Sequence, residues 1–240
     1  MKYFIFVLFL FCFNLFSQNI TVNDITNQLS YTDFKTEITM EVGRGESSPL
    51  AKNLNVYYKE NDKSQKLLAV FTYPSNMKGM AFLALCNKKD EDKWYMYIRT
   101  LRRVKKVTTN SDNFMLKDFL SLYFLKPRTE LWNFSYDENQ IIFTAKDEKT
   151  IEMTGYKKLV NFVDSDKKTI KKTEFYDKNN KLVRIQEVLK FEQIDNIWIP
   201  TEVTTNDKQE DVKAKLILKN VKLNSSLKDD IFTSNYLKTL

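Results

Sequence analysis

Short runs rich in Val, Ile, Thr, Tyr and Phe follow one another along this chain, separated by charged or Asn- and Asp-bearing breaks. They read EITMEV (37–42), NLNVYYKE (53–60), KLLAVFTY (66–73), MAFLALC (80–86), WYMYI (94–98), LWNFSY (131–136), QIIFTA (140–145), TIEMTGY (150–156), TIKKTEFY (169–176), KLVRIQEVLKFEQI (181–194), IWIPTEVTT (197–205) and VKAKLILKNVKL (212–223). Regular spacing of short strands with turns between them predicts an antiparallel sandwich or barrel. The breaks at 136–140, 176–181 and 193–198 place Asp and Asn between two such runs and predict hairpins. Alternation is clearest near the end of the chain, where Val212, Ala214, Leu216 and Leu218 oppose Lys213, Lys215 and Lys219, with Ile217 off the pattern. One face of that strand is wet and the other buries something.

Helical spacing is rare. VNDITNQL at 22–29 gives a narrow stripe of Val22, Ile25 and Leu29. FMLKDFLSLYFL at 114–125 gives a wide one, with Leu116, Phe119, Leu120, Tyr123 and Phe124 at i, i+3, i+4, i+7 and i+8. Ser111, Asp112 or Asn113 can cap the second helix, and Pro127 stops it. SLKDDIF at 226–232 is a weaker third candidate.

The first eighteen residues, MKYFIFVLFLFCFNLFSQ, have a lysine at position 2, an apolar run from Tyr3 to Phe13 and a polar-ended tail, the plan of a secretory signal peptide. The run is broken at Asn14, short of the roughly 20 residues a membrane span needs, and bulky Phe11 argues against acylation at Cys12. Cleavage is expected near Ser17 or Gln18, leaving residues 19–240. No Gly-, Ser- or Pro-rich linker divides that remainder, so a single domain is expected.

Composition removes several chemistries. The chain has no histidine, the commonest general base and neutral metal ligand. After the leader it keeps one cysteine, Cys86, set in an apolar run as a small core residue is. Asp90, Glu91 and Asp92 are interleaved with lysines in KKDEDK and lack the spacing of a calcium loop. GRGES at 43–47 lacks the Lys-Ser/Thr ending of a phosphate loop. No catalytic residue, metal ligand or cofactor site is expected. The formal net charge is +7. In DKWYMYIRTLRRVKKV (92–107), Arg99, Arg102, Arg103, Lys105 and Lys106 follow Trp94, Tyr95 and Tyr97, a combination that also suits single-stranded nucleic acid. Export and a charge excess spread along the chain favour an anionic membrane surface or an acidic partner instead.

The stretch from Pro74 to Phe119 resembles the outer-membrane lipoprotein-sorting family, relatives of the periplasmic carriers LolA and LolB. The resemblance rests on Pro74, Lys78, Gly79, Trp94, Tyr97, Leu101, Arg102, Arg103, Val104, Val107, Phe114, Met115, Asp118 and Phe119, and extends to IWIPTEVTT and the closing DDIFTSNYL. The sequence departs from the family pattern at Leu116 and in LSLYFL. The resemblance implies an incompletely closed antiparallel β-barrel of about eleven strands with a few short helices over its open side, in which WYMYI and RRVKKV are neighbouring strands.

It also implies a non-enzymatic periplasmic carrier or holder of acylated ligands, with acylated lipoprotein or lipid as cargo. An inner-membrane transporter or an outer-membrane acceptor would be its partner, and nucleic acid would not. Trp94 and Met96 are the expected cavity lining, with Tyr95 and Tyr97 as the alternative inward set. Phe114, Met115, Leu116, Phe119, Leu120, Tyr123 and Phe124 are the expected lid. An envelope sensor or lipid-binding module that signals to a membrane partner would use the same cavity. A secreted β-sandwich enzyme would instead need a polar cleft with converging carboxylates.

Overall fold

A computed structural model describes residues 20–87, 92–107, 124–126 and 128–240. Thirteen strands form one antiparallel sheet: β1 (Asp33–Arg44), β2 (Leu50–Glu60), β3 (Ser64–Tyr73), β4 (Ala81–Asn87), β5 (Lys93–Ile98), β6 (Arg103–Lys106), β7 (Trp132–Asp137), β8 (Gln140–Ala145), β9 (Lys158–Asp164), β10 (Thr169–Tyr176), β11 (Leu182–Ile194), β12 (Ile197–Asp207) and β13 (Val212–Leu223). Their order is β6-β5-β4-β3-β2-β1-β13-β12-β11-β10-β9-β8-β7. Two meanders therefore meet where the last strand pairs with the first, Met40 opposite Leu216 and Val42 opposite Ala214. The edges are β6 and β7, consecutive in the chain but not paired with each other, so the sheet is not closed.

The expected count of about eleven strands is too low. TIEMTGY is not a strand: Glu148–Thr154 is a helix, α2, whose N-cap Asp147 accepts a hydrogen bond from the Thr150 amide and whose C-cap Gly155 has φ +82°. The strand that follows, β9, is the run KLVNFVD, absent from the sequence expectation. Helix α1 spans Val22–Gln28 behind a capping box between Thr21 and Asp24. The weak C-terminal candidate is a 3₁₀ turn over Asp229–Phe232 followed by α3, Ser234–Leu237. All three predicted hairpins form. In the β11–β12 turn both central residues, Asp195 (φ 48°) and Asn196 (φ 64°), take the left-handed conformation that two-residue hairpins require.

Register fixes which side chains share a face, because directly opposed residues in antiparallel strands point the same way. Met40, Leu216, Val203 and Val188 are opposed in succession across β1, β13, β12 and β11. Two residues along β11, Gln186 opposes Thr173, and Asn161 and Ile141 continue that row. One face, here the inner one, thus carries both a large apolar cluster around Phe34, Tyr58, Phe71, Phe82 and Trp94 and a second around Trp132, Ile141 and Phe143. Val22 and Ile25 of α1 pack on the second.

The opposite face carries a third cluster, in which Leu68, Leu83 and Tyr97 are covered by Phe232 and Leu237 of the C-terminal segment. Strands β3 to β5 are therefore buried on both sides. This explains why KLLAVFTY and MAFLALC are continuous apolar runs instead of alternating ones. Among the described helices, α1 packs on the inner face and α3 on the opposite one.

Candidate functional site

The inner face of β1–β5 and β12–β13 is the largest apolar surface that the strands assemble, and the expected site residues divide around it. Trp94 and Met96 point into it, opposite Ala84 and Phe82. Tyr97 belongs to the opposite face and packs with Phe232 and Leu237; Tyr95 lies against that same cluster. Phe124 is buried in the inner cluster with its ring centroid 6.2 Å from that of Phe34. Phe114, Met115, Leu116, Phe119, Leu120 and Tyr123 lie outside the described residues, as does most of the helix expected at 114–125.

Phe124 is held in place by the residue two positions on. The Lys126 ammonium donates to the carbonyls of Leu29 (2.7 Å) and Tyr31 (3.3 Å) and forms an ion pair with Glu60, and it lies 4.8 Å from the centre of the Tyr31 ring. The Lys126 backbone is gripped from both sides by Gln65, whose amide oxygen accepts from its N–H at 2.8 Å and whose amide nitrogen donates to its carbonyl at 3.3 Å. Tyr58 completes the group by donating to Glu60 at 2.7 Å. Burial pushes the Tyr58 phenol far above its ordinary value, and the neighbouring Glu60 carboxylate adds to the shift. Burial raises Tyr31 in the same way. Both rings are neutral at any physiological pH: Tyr58 serves as a wall and a hydrogen-bond donor and Tyr31 as a wall, neither as an acid.

Polar groups enter the inner face on the other side of β13. Asn161, Thr173, Gln186 and Thr205 make one cross-strand row over β9–β12. Asn161 donates to the Ile141 carbonyl at 3.1 Å and accepts from Thr173 at 2.9 Å. In the next row Arg184 grips Asp207 through Nε (2.8 Å) and a terminal nitrogen (2.5 Å), with its guanidinium over Phe175 and Tyr156. Thr201, also on β12, has a buried hydroxyl with no hydrogen-bond partner among the described residues. None of these residues stood out in the sequence. Their apposition depends on register, and a sequence carries no local sign of it.

A cavity of about 170 Å³ opens on the opposite face, where Glu37, Thr39, Asn53, Asn55, Thr72 and Lys219 supply polar walls. It is unsuited to an acyl chain. Lys52 is on the inner face opposite Met40, and burial lowers the pKa of its ammonium. Cys86 is buried in the large inner cluster. Among the described residues no group of three or more Cys, Asp or Glu side chains is placed to hold a metal ion.

Solved structures share this fold. A DUF1329 family protein from Desulfovibrio piger superposes with a TM-score of 0.77 at 22% identity, covering 88% of this chain and 94% of that one. A protein domain assigned to outer membrane lipoprotein sorting, from Vibrio parahaemolyticus, gives 0.75 at 21% identity, covering 86% and 92%. A LolA superfamily protein from Nitrosomonas europaea gives 0.60 at 16%, covering 86% and 92%. No curated protein matches the sequence. A family model described as "Uncharacterized protein" matches residues 63–239; the chain belongs to that family, and its fold is LolA-like.

Proposed function

We propose that this protein is a non-enzymatic carrier or holder of acylated ligands. It works in the periplasm after loss of residues 1–18, and lipoprotein is the cargo class. The observation that carries the reading is the inner face: side chains from seven strands, Phe34, Tyr58, Phe71, Phe82 and Trp94 among them, form one apolar surface inside a sheet whose edges do not join. These side chains are themselves buried, Phe71, Phe82 and Trp94 at 1–2% exposure, so an entering chain must displace what packs on them, Phe124 among the described residues.

Acyl chains suit an apolar face of this kind, each buried methylene contributing about 0.8 kcal/mol. The fold it shares with a lipoprotein-sorting domain supports the cargo class. Trp94 and Met96 would line the acyl site. Phe124 would be displaced from Phe34 as a chain enters, and the helix expected at 114–125 would be the cover. Among the described residues no helix is long and apolar enough to cross a membrane. Native mass spectrometry of the protein purified from cell envelopes, followed by organic extraction, tests the reading. Bound acyl species released by the solvent are expected; a mass equal to that of the bare chain in every preparation, with no acyl lipid extracted, would contradict it.

A further inference from the structure

At one end of the sheet three neighbouring turns carry exposed apolar side chains, and two of them carry cations with no ion-pair partner among the described residues. The connections β1–β2, β3–β4 and β5–β6 all lie at this end, since Val42 opposes Leu50, Val70 opposes Ala81 and Ile98 opposes Arg103. Leu50 is 69% exposed, Tyr73 52% and Leu101 56%, three of the largest exposures of any big apolar residue described. Beside them Lys78, Arg99, Arg102 and Arg103 are exposed. None of the four enters an ion pair among the described residues.

In the β3–β4 and β5–β6 turns the charge is one-signed, whereas the β1–β2 turn beside them carries the exposed Glu46. Between Ser64 and Val107 the only carboxylates are Asp90, Glu91 and Asp92, in the β4–β5 connection that leaves and re-enters the sheet at the opposite end. The two turns that carry the cations are also fastened together. Arg99 donates to the Lys78 carbonyl at 3.2 Å and runs so close over Gly79 that a Cβ there would sit 2.7 Å from the Arg99 Cδ. Arg102, at φ 46°, turns the tip so that Leu101 and the two following cations stand outward. Such a rim is preorganised, and it pairs greasy tips with positive charge.

We infer that this rim, built on Tyr73, Lys78 and Arg99–Arg103, docks the protein on the surface of a bilayer containing anionic phospholipid. Apolar tips that enter the headgroup region, flanked by cations that meet acidic headgroups, are the combination by which a peripheral protein binds reversibly without a lipid anchor. A neutral bilayer offers nothing to the cations, and the two cation-bearing turns offer no carboxylate to a basic protein. The inference does not rest on acyl binding: the rim is outside the inner face, and each property can fail while the other stands.

The test uses residues 19–240 and sedimentation with vesicles of phosphatidylglycerol and phosphatidylcholine, or of phosphatidylcholine alone. Binding is expected to the first and not the second, and to weaken as salt is raised, because screening shortens the reach of the cations. The double variant Arg102→Glu/Arg103→Glu should lose at least tenfold in partitioning. Leu101→Ser should lose several-fold while keeping the salt dependence. Lys178→Glu/Lys181→Glu, in the β10–β11 turn, controls for total charge and should bind as the parent does. Thermal melts establish that each variant is folded, and all five positions are exposed. Failure of the parent to bind anionic vesicles would overturn the inference, as would equal losses in the two charge-reversed pairs. An acidic protein as the true occupant would appear as the first of these results.

Discussion

The Arg184–Asp207 pair bridges β11 and β12 on the inner face, and its two side chains are only 13% and 8% exposed. Arg184→Met keeps the length and much of the stacking over Phe175 and Tyr156 but strands a carboxylate. Asp207 would retain only the turn amides of Gln209 (3.0 Å) and Glu210 (2.9 Å), both on its other oxygen. Removing one member of a buried pair costs about 3–5 kcal/mol, because the survivor stays desolvated without its partner. For a chain of this length each kcal/mol moves the midpoint by about 2–4 °C, so the expected fall in Tm is on the order of 6–20 °C.

Asp207→Asn should cost less, since an amide oxygen can still accept from the two turn amides. The double variant should cost clearly less than the sum of the singles, with a coupling of about 1–3 kcal/mol. Urea unfolding followed by circular dichroism, with Tm from thermal melts, gives all four corners of the cycle. A loss below about 1 kcal/mol for Arg184→Met, or strict additivity, would show that the pair is not desolvated and that the polar rows of the inner face are wetter than described.

Three further outcomes follow from single positions. Gly79→Ala meets Arg99 at 2.7 Å and must hold φ +81°, so it should destabilise by about 1–3 kcal/mol; adding Arg99→Ala should recover only the steric part, as urea midpoints will show. The Lys66 and Lys59 ammoniums hold the Asp229 carboxyl below its ordinary 3.8, and Thr150 and Lys167 do the same for Asp147 and Asp164. Depressed carboxyls contribute stability above the unfolded value and lose it as pH falls through the folded one, so Tm should be level from about pH 7 to 5 and fall below about pH 4. Asp229→Asn should flatten that fall and lower Tm at neutral pH. Cys86→Ala should cost at most about 1–2 kcal/mol in urea unfolding and leave fatty-acid uptake unchanged, as for a small buried side chain with no reactive part.

The strands were legible where one face is wet. Alternation marks β13, and Asp- and Asn-bearing turns mark the β7–β8, β10–β11 and β11–β12 hairpins, because those signals are local. TIEMTGY misled because Thr150 and Ile151 are β-branched, although Asp147 and Gly155 already bracket the segment as helix caps do. Strand β9 was missed for the reverse reason: its inward Asn161 interrupts the apolar pattern, and only its place beside Thr173 satisfies it. The pairing of β13 with β1 has no local signature at all.

WYMYI shows a different limit. Its alternation separates Trp94 and Met96 from Tyr95 and Tyr97 but gives no sign to the two sets, since both faces of β5 are buried. The sign is set by Phe232 and Leu237, more than a hundred residues away, which cover the tyrosine side. The basic run after it was easier to place: Arg103, Lys105 and Lys106 are exposed on edge strand β6, where charge discourages pairing with another sheet. Lys126, which fixes Phe124 against the inner face, has no local sign of that role in the sequence, because its partners Leu29, Tyr31, Glu60 and Gln65 all lie more than sixty residues away.

The measurement that bears most directly on the carrier reading is a titration of residues 19–240 with a fluorescent fatty acid, paired with thermal melts and with the variant Phe71→Asp as a probe of the inner face. The account predicts saturable uptake near one chain per protein, a Tm that rises with ligand concentration by linkage, and quenching of tryptophan emission as the chain passes Trp94. Phe71→Asp should abolish uptake if it folds; should it not fold, Met96→Gln, at the margin of the same cluster, should weaken uptake several-fold. Absence of both uptake and thermal shift in the parent protein would contradict the central claim and leave the inner face as core alone.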